Sequence, residues 1–327
     1  MARGYLDKVF GHEGREDPAS GRLASPSSAT ASDDVPSGRR TRSEPVSTIL
    51  SWCRENRRRH GMADLFFGMV NAGMPPFRTD EEALAWLSSH KEEGDPSAIA
   101  LLGWMFEEGL GAPRRIERAV ELYTEAASLG QPEAQYRLGL CLHQGRDVRQ
   151  SDEEAAVWYR QAAEQGHADA QCSLGSFYES GQGVARSYAE AAKMYRLAAR
   201  QDHADAQYRL GLLYEDGEGV EQSDEEAARL YRRAAEQGHA DAQCSLGFCY
   251  RIGAGVEQSY DEAARWFRAA AEQGNADAQY MFGLCYESGW GVDKSYDEAA
   301  RWFRAAAEQG HACCQFKLGT CYESGRV

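Results

Sequence analysis

Histidine recurs at one fixed place in this chain, at His167, His203, His239 and His311, in steps of 36, 36 and 72 residues. One zinc ion needs its nitrogen ligands about 2 Å away on all sides. Equivalent residues of neighbouring units are separated by an intervening helix, roughly 10 Å at ordinary packing distances. The histidines therefore read as residues of a turn into a helix, and no metal site is assigned. Cysteine recurs too. Cys141, Cys249, Cys285 and Cys321 share one position, and Cys172, Cys244 and Cys314 another, with Cys313 beside the last and Cys53 apart. No C-x-x-C pair occurs, and every cysteine of the periodic region falls on the first helix of its unit, so none can staple a helix pair; they read as small buried thiols. Gly181-Gln182-Gly183 and its copies imitate part of a dinucleotide fingerprint, but that motif follows a strand, whereas here a helix precedes it each time. Asp224, Glu225, Glu226 and their copies crowd a helix start, where negative charge complements the helix dipole. No catalytic residue and no cofactor follow from these patterns.

What positions all of them is a period of 36 residues. Leu138-Gly139, Leu174-Gly175, Leu210-Gly211, Leu246-Gly247, Phe282-Gly283 and Leu318-Gly319 mark it, and Leu102-Gly103 continues it upstream. In the unit from Ala204 to His239, Ala206, Leu210, Leu213 and Tyr214 make one apolar stripe of a first helix, here called helix A. Gly217-Glu218-Gly219 ends it, since glycine takes the left-handed conformation without steric cost. Ser223 and Glu226 form the capping box of a second helix, B, repeated as Ser151/Glu154, Ser187/Glu190, Ser259/Glu262 and Ser295/Glu298. Ala227, Tyr231, Ala234 and Ala235 are its buried stripe. The fold class expected is all-α, a solenoid of 36-residue helix–turn–helix repeats. Six full units run from Pro96 to His311 and a half unit follows, giving an array over 96–327. Residues 61–95 keep the glycine spacing of a worn unit, so 51–95 is expected to be an N-terminal helical cap, and 1–50, rich in Ser, Pro, Gly and charge, a disordered segment.

Across the chain 51 Asp and Glu stand against 36 Lys and Arg, while residues 1–60 hold an excess of base. An acidic body excludes non-specific nucleic-acid binding and favours partners with a basic patch. No stretch is long and apolar enough to span a membrane and no secretory signal is visible, so the expected compartment is the cytoplasm, with the nucleus as second choice.

The string ADAQYRLGLLYEDGEGV (Ala204–Val220), followed by SDEEAARLYRRAAEQG (Ser223–Gly238), resembles the Sel-one-like repeat, a relative of the tetratricopeptide repeat. The resemblance implies a right-handed α/α superhelix and an adaptor role in assembling protein complexes. Some cysteine-rich bacterial members bind β-lactams; those carry a cysteine in each helix of a pair, a pattern this chain lacks. A regulatory or targeting repeat region of a larger enzyme or signalling protein is the alternative reading.

Specificity in such an array is expected where the copies disagree. One column reads Arg137, Ser173, Arg209, Ser245, Met281, Lys317; another reads Trp104, Leu140, Ser176, Leu212, Phe248, Leu284, Thr320. The columns lie three residues apart and share a helix face. Packing residues must repeat where packing repeats, so these positions are expected to face solvent on the concave side. The partner-binding set is Trp104, Arg137, Leu140, Arg209, Leu212, Phe248, Met281, Leu284 and Lys317. Trp290, in a glycine loop, is a candidate aromatic anchor. Ser43, preceded by Arg39, Arg40 and Arg42 and followed by Pro45, is a candidate phosphosite for an adaptor of the 14-3-3 type.

Overall fold

A computed structural model describes residues 61–323 apart from residues 72 and 76, and the side chains of 63, 64 and 319–323 are not described. The described residues hold fifteen α-helices and no strand. The first is α1 (Gly61–Asn71), followed by α2 (Asp80–Glu92). Six helices A then alternate with six helices B: α3 (Pro96–Glu108) and α4 (Ile116–Ser128), α5 (Pro132–Gln144) and α6 (Asp152–Glu164), α7 (Ala168–Ser180) and α8 (Tyr188–Arg200), α9 (Ala204–Asp216) and α10 (Asp224–Glu236), α11 (Ala240–Ile252) and α12 (Tyr260–Glu272), α13 (Ala276–Ser288) and α14 (Tyr296–Glu308). A last helix A, α15 (Ala312–Glu323), ends the series. Among these residues no helix is long and apolar enough to cross a membrane.

Contacts divide the chain into two compact units, one ending at Ala185 and one beginning at Arg186. Inside each unit the plan is the same. A helix A packs on its own helix B, and that helix B packs on the next helix A, as in α3/α4/α5/α6/α7 and again from α8 through to α15. Each unit is thus an α-solenoid in which one helix pair closes only against its neighbours.

The sequence explains the pair. Gly211 lies against the ring of the fully buried Tyr231, and a Cβ there would sit 2.6 Å from that ring. Helix A has to be smooth at this point for the aromatic of helix B to seat. The turn after helix A needs both of its glycines. Gly217 caps α9 at φ 72°, and Gly219 lies so close to the first residue of α8 that any side chain would strike the Tyr188 backbone. The glycine pair is therefore how the loop of one repeat rests on helix B of the repeat before.

The serine caps form as expected in one direction only. Ser223 Oγ accepts from the Glu226 N–H at 3.2 Å, and Ser151, Ser187, Ser259 and Ser295 act alike. The reciprocal half of the capping box is absent. The Ser223 N–H donates instead to the Tyr214 carbonyl, which turns the loop back onto helix A, and Glu226 is drawn to Arg229. The pairs Glu262–Arg265 and Glu298–Arg301 repeat that preference.

Candidate functional site

The face expected to bind partners is carried by helices A, and the structure divides its residues into two kinds. Leu140, Leu212 and Leu284 are half-buried at equivalent places on α5, α9 and α13. Three others are corrected, because they do not face solvent. Trp104 and Phe248 are fully buried and Met281 is 2 % exposed. Phe248 stands edge-on to Phe267 at 5.2 Å, filling space that a leucine leaves open. Met281 belongs to the apolar core shared by α11 to α14. Around Trp104, every residue of α3 from Ala98 to Met105 is buried, and α1 packs across this helix.

The column headed by Arg137 varies for a reason that the sequence alone does not display. Each of its residues lies 30 positions after the penultimate residue of the preceding helix A, and in two of the copies the pair is an ion pair. Arg137 Nη1 reaches Glu107 at 3.3 Å, and Lys317 Nζ reaches Glu287 at 2.8 Å. The carboxylate has a second customer. Tyr123 and Tyr231 donate their hydroxyls at 2.6 Å to Glu107 and Glu215. Where His143 replaces the glutamate, the Tyr159 hydroxyl is buried without a hydrogen-bond partner, and His143 Nδ1 pairs instead with Asp152 Oδ1 at 2.6 Å. Where helix B carries Phe303, Glu287 is left to Lys317 alone. At Arg137 and Lys317 the column serves as contact between successive helices A. Ser173 and Ser245 are buried, and Arg209 is engaged by Asp205 at 3.2 Å.

The most concentrated electrostatics lie in α5. Glu133, 4 % exposed, accepts from Arg137 Nε at 2.9 Å and from His167 Nε2 at 2.8 Å. Burial opposes its ionisation, but the His167 hydrogen bond and the Arg137 charge prevail and hold its pKa at about 2. His167 is raised in return: burial disfavours the cation, and Glu133 more than offsets it. Burial would also lower the Arg137 pKa, yet the surrounding acidic groups leave it higher than usual, so the guanidinium stays charged. Tyr123 is pushed well above the usual range, chiefly by burial.

The histidine column closes helices. Nδ1 of His167, His203 and His239 accepts from the backbone N–H three residues on, at 3.2 Å in each case, and His311 does so at 3.3 Å. An accepting Nδ1 places the proton on Nε2, which in His167 faces Glu133. Asn275 performs both acts in place of a histidine, capping Ala278 and donating to Asp241 at 2.7 Å. Among the described residues no group of His, Cys, Asp or Glu is assembled to hold a metal ion. Cys141, Cys172, Cys244, Cys249, Cys285 and Cys314 are buried free thiols and Cys313 is partly so. Burial raises Cys141, Cys249 and Cys285 to about 12.

Trp290 stacks on Tyr260 at 5.6 Å, seating its loop on α12 and engaging its ring within the molecule. Ser43 lies outside the described residues. A glutamine ladder escaped the sequence reading. Gln135, Gln207, Gln243 and Gln279 each donate to a helix B carbonyl and accept from the glutamine 30 residues later, at 2.7–2.8 Å. An amide that recurs unchanged on the core side of helix A was the signal for it.

A family model described as the Sel1 repeat matches residues 96–131, 132–167, 168–203, 204–239, 240–275, 276–311 and 314–327. Among solved structures, the chain is similar to a protective antigen present in uropathogenic Escherichia coli strains, which displays an SLR fold. Identity is 34 %, the TM-score is 0.72, and the match covers 84 % of this chain. This chain spans 60 % of the length of that protein. It is also similar to a Sel1 repeat protein from Oxalobacter formigenes, at 33 % identity and TM-score 0.64 over 69 % of this chain and 91 % of that one. Among curated proteins nothing matches.

Proposed function

Since this chain belongs to the Sel1 repeat family, a typically non-catalytic helical scaffold commonly used for protein–protein interaction, we propose that it is an adaptor that holds a segment of another protein on the row of helices A. The observation that carries this reading is the leucine column. Leu140, Leu212 and Leu284 remain partly exposed at the same place on three helices, while charged residues near them pair off within the array. An apolar position left partly open where every neighbour is satisfied is the kind of place a partner side chain completes. The acidic excess of the chain favours a partner with basic residues flanking its apolar contacts.

The test is affinity capture from the native host with the wild-type chain and with Leu140→Glu, Leu212→Glu and Leu284→Glu combined. These leucines are partly exposed, so the helical circular dichroism signal is expected to survive. Recovery of the wild-type partners should fall at least about tenfold, the equivalent of 1.4 kcal/mol. Undiminished recovery with the fold intact would overturn the reading.

A further inference from the structure

Helix α1 does something no other described helix does. A helix A of the array packs on helices B, before and after it; α1 packs on two successive helices A, α3 and α5. It lies with Met62, Phe66 and Met69, at i, i+4 and i+7, buried, and with Gly68, Val70 and Asn71 turned outward. One face seated and one face open is the arrangement of a helical peptide laid on a surface.

Its effect is visible on α3. Trp104 is fully buried, whereas Leu212 and Leu284, its equivalents on helices without such a cover, are half-buried, and Phe248, also without it, is buried against Phe267 instead. The N-terminus of α1 meets the array just as closely. Gly61 lies against the Glu133 carboxylate, and a Cβ on residue 61 would overlap it. Arg137 and His167 hold that carboxylate ionised. Its charge faces Gly61, the first described residue of α1.

The seat is imperfect. A cavity of about 500 Å³ opens beside α1, lined by Leu65, Met69 and Met74 and by Trp86 and His90 of α2. This cleft is open to solvent, so one flank of α1 is left uncovered by the array. The same chemistry recurs along the array. An acid stands at the Glu133 position on every later full repeat, as Asp169, Asp205, Asp241 and Asp277.

We propose that α1 is an intramolecular occupant of the partner-binding face. The partner it stands in for is an amphipathic helix with methionine, leucine or phenylalanine at i, i+4 and i+7 and a residue without a side chain at its first turn. Binding exchanges α1 for that helix, so α1 sets the threshold for partner entry. The proposal rests on the scaffold reading above; its test uses no partner protein, so the two fail separately.

The probe is a fluorescently labelled synthetic peptide of residues 59–75, titrated with the full chain and followed by anisotropy. The wild-type chain, with α1 in place, should bind it weakly. Phe66→Glu in the chain unseats α1 through its apolar face, and Gly61→Leu unseats it through its N-terminus without altering any residue of the array. Both variants should bind the peptide at least tenfold more tightly than wild type. Peptides carrying Gly61→Leu or Phe66→Glu should lose that gain on the same unseated chains, a comparison that no folding defect of the chain can imitate. Equal binding by wild-type and both unseated chains, or equal binding of the altered peptides, would overturn the proposal.

Discussion

Glu133→Gln tests whether the buried charge cluster on α5 anchors the N-terminal unit. The substitution keeps the volume and removes the charge. With its pKa held at about 2 against an ordinary 4.5, the carboxylate contributes stability at neutral pH. One pKa unit corresponds to 1.36 kcal/mol, which makes the contribution about 3 kcal/mol. Removing one partner from a buried ion pair costs the same order, about 3–5 kcal/mol. Arg137 keeps Glu107 at 3.3 Å, which softens the loss, so the expected destabilisation is about 2–3 kcal/mol. The sign follows from the depressed pKa. The contribution is present above about pH 4.5 and is lost as pH falls through about pH 2. Urea unfolding of wild type and variant, followed by tryptophan fluorescence in steps from about pH 7 to about pH 3, reads the difference. Hydrogen exchange should report the loss first in α1, α3 and α5, because a repeat array opens locally. A difference under about 0.5 kcal/mol at neutral pH, or one that stays constant on acidification, would refute the argument.

Four further substitutions, at three positions, and one chemical probe follow from neighbouring contacts. Tyr231→Phe removes the hydroxyl that donates to the buried Glu215 carboxylate and should cost about 1–2 kcal/mol in thermal or urea unfolding. Tyr159→Phe removes a hydroxyl that has no hydrogen-bond partner and should fall within about 0.5 kcal/mol of wild type in the same measurement. His239→Ala should cost about 1 kcal/mol through loss of a helix cap, while His239→Asn, which Asn275 imitates in the adjacent repeat, should cost a few tenths. In the native chain Cys141, Cys249 and Cys285 should react with a thiol reagent at mildly alkaline pH only after denaturant is added, because burial holds their pKa values at about 12.

The helices and their order were legible because each is written in local signals. Ser223 and Gly217 mark ends whose partners lie three or four residues away, and Ala227, Tyr231, Ala234 and Ala235 mark one face at helical spacing. The exposure of single positions was not legible. Trp104, Phe248 and Leu212 occupy one column, and only the first two are buried. Phe248 is long enough to reach Phe267, and α3 lies beneath a helix that the periodicity assigned to a worn repeat. A period describes where the backbone goes. It says less about what fills the space between copies once their side chains differ in size.

The columns where the copies disagree show how function and packing are divided in such an array. Variation alone pointed to solvent, on the ground that packing must repeat. Packing does repeat, but as a relation between two residues 30 apart rather than as an identity at one. Glu107 with Arg137 and Glu287 with Lys317 satisfy the same contact, and Tyr231 with Glu215 satisfies it from the other side. A position that changes together with its partner is therefore under structural constraint, however variable it looks in isolation. Leu140, Leu212 and Leu284 belong to no such pair. They are half-buried in every copy that carries them, and the equivalent Trp104 becomes fully buried on the helix that α1 crosses. That contrast is what supports the proposed partner contact at the uncompensated column, while Arg137 and Lys317 in the charged column beside it hold one helix A against the next.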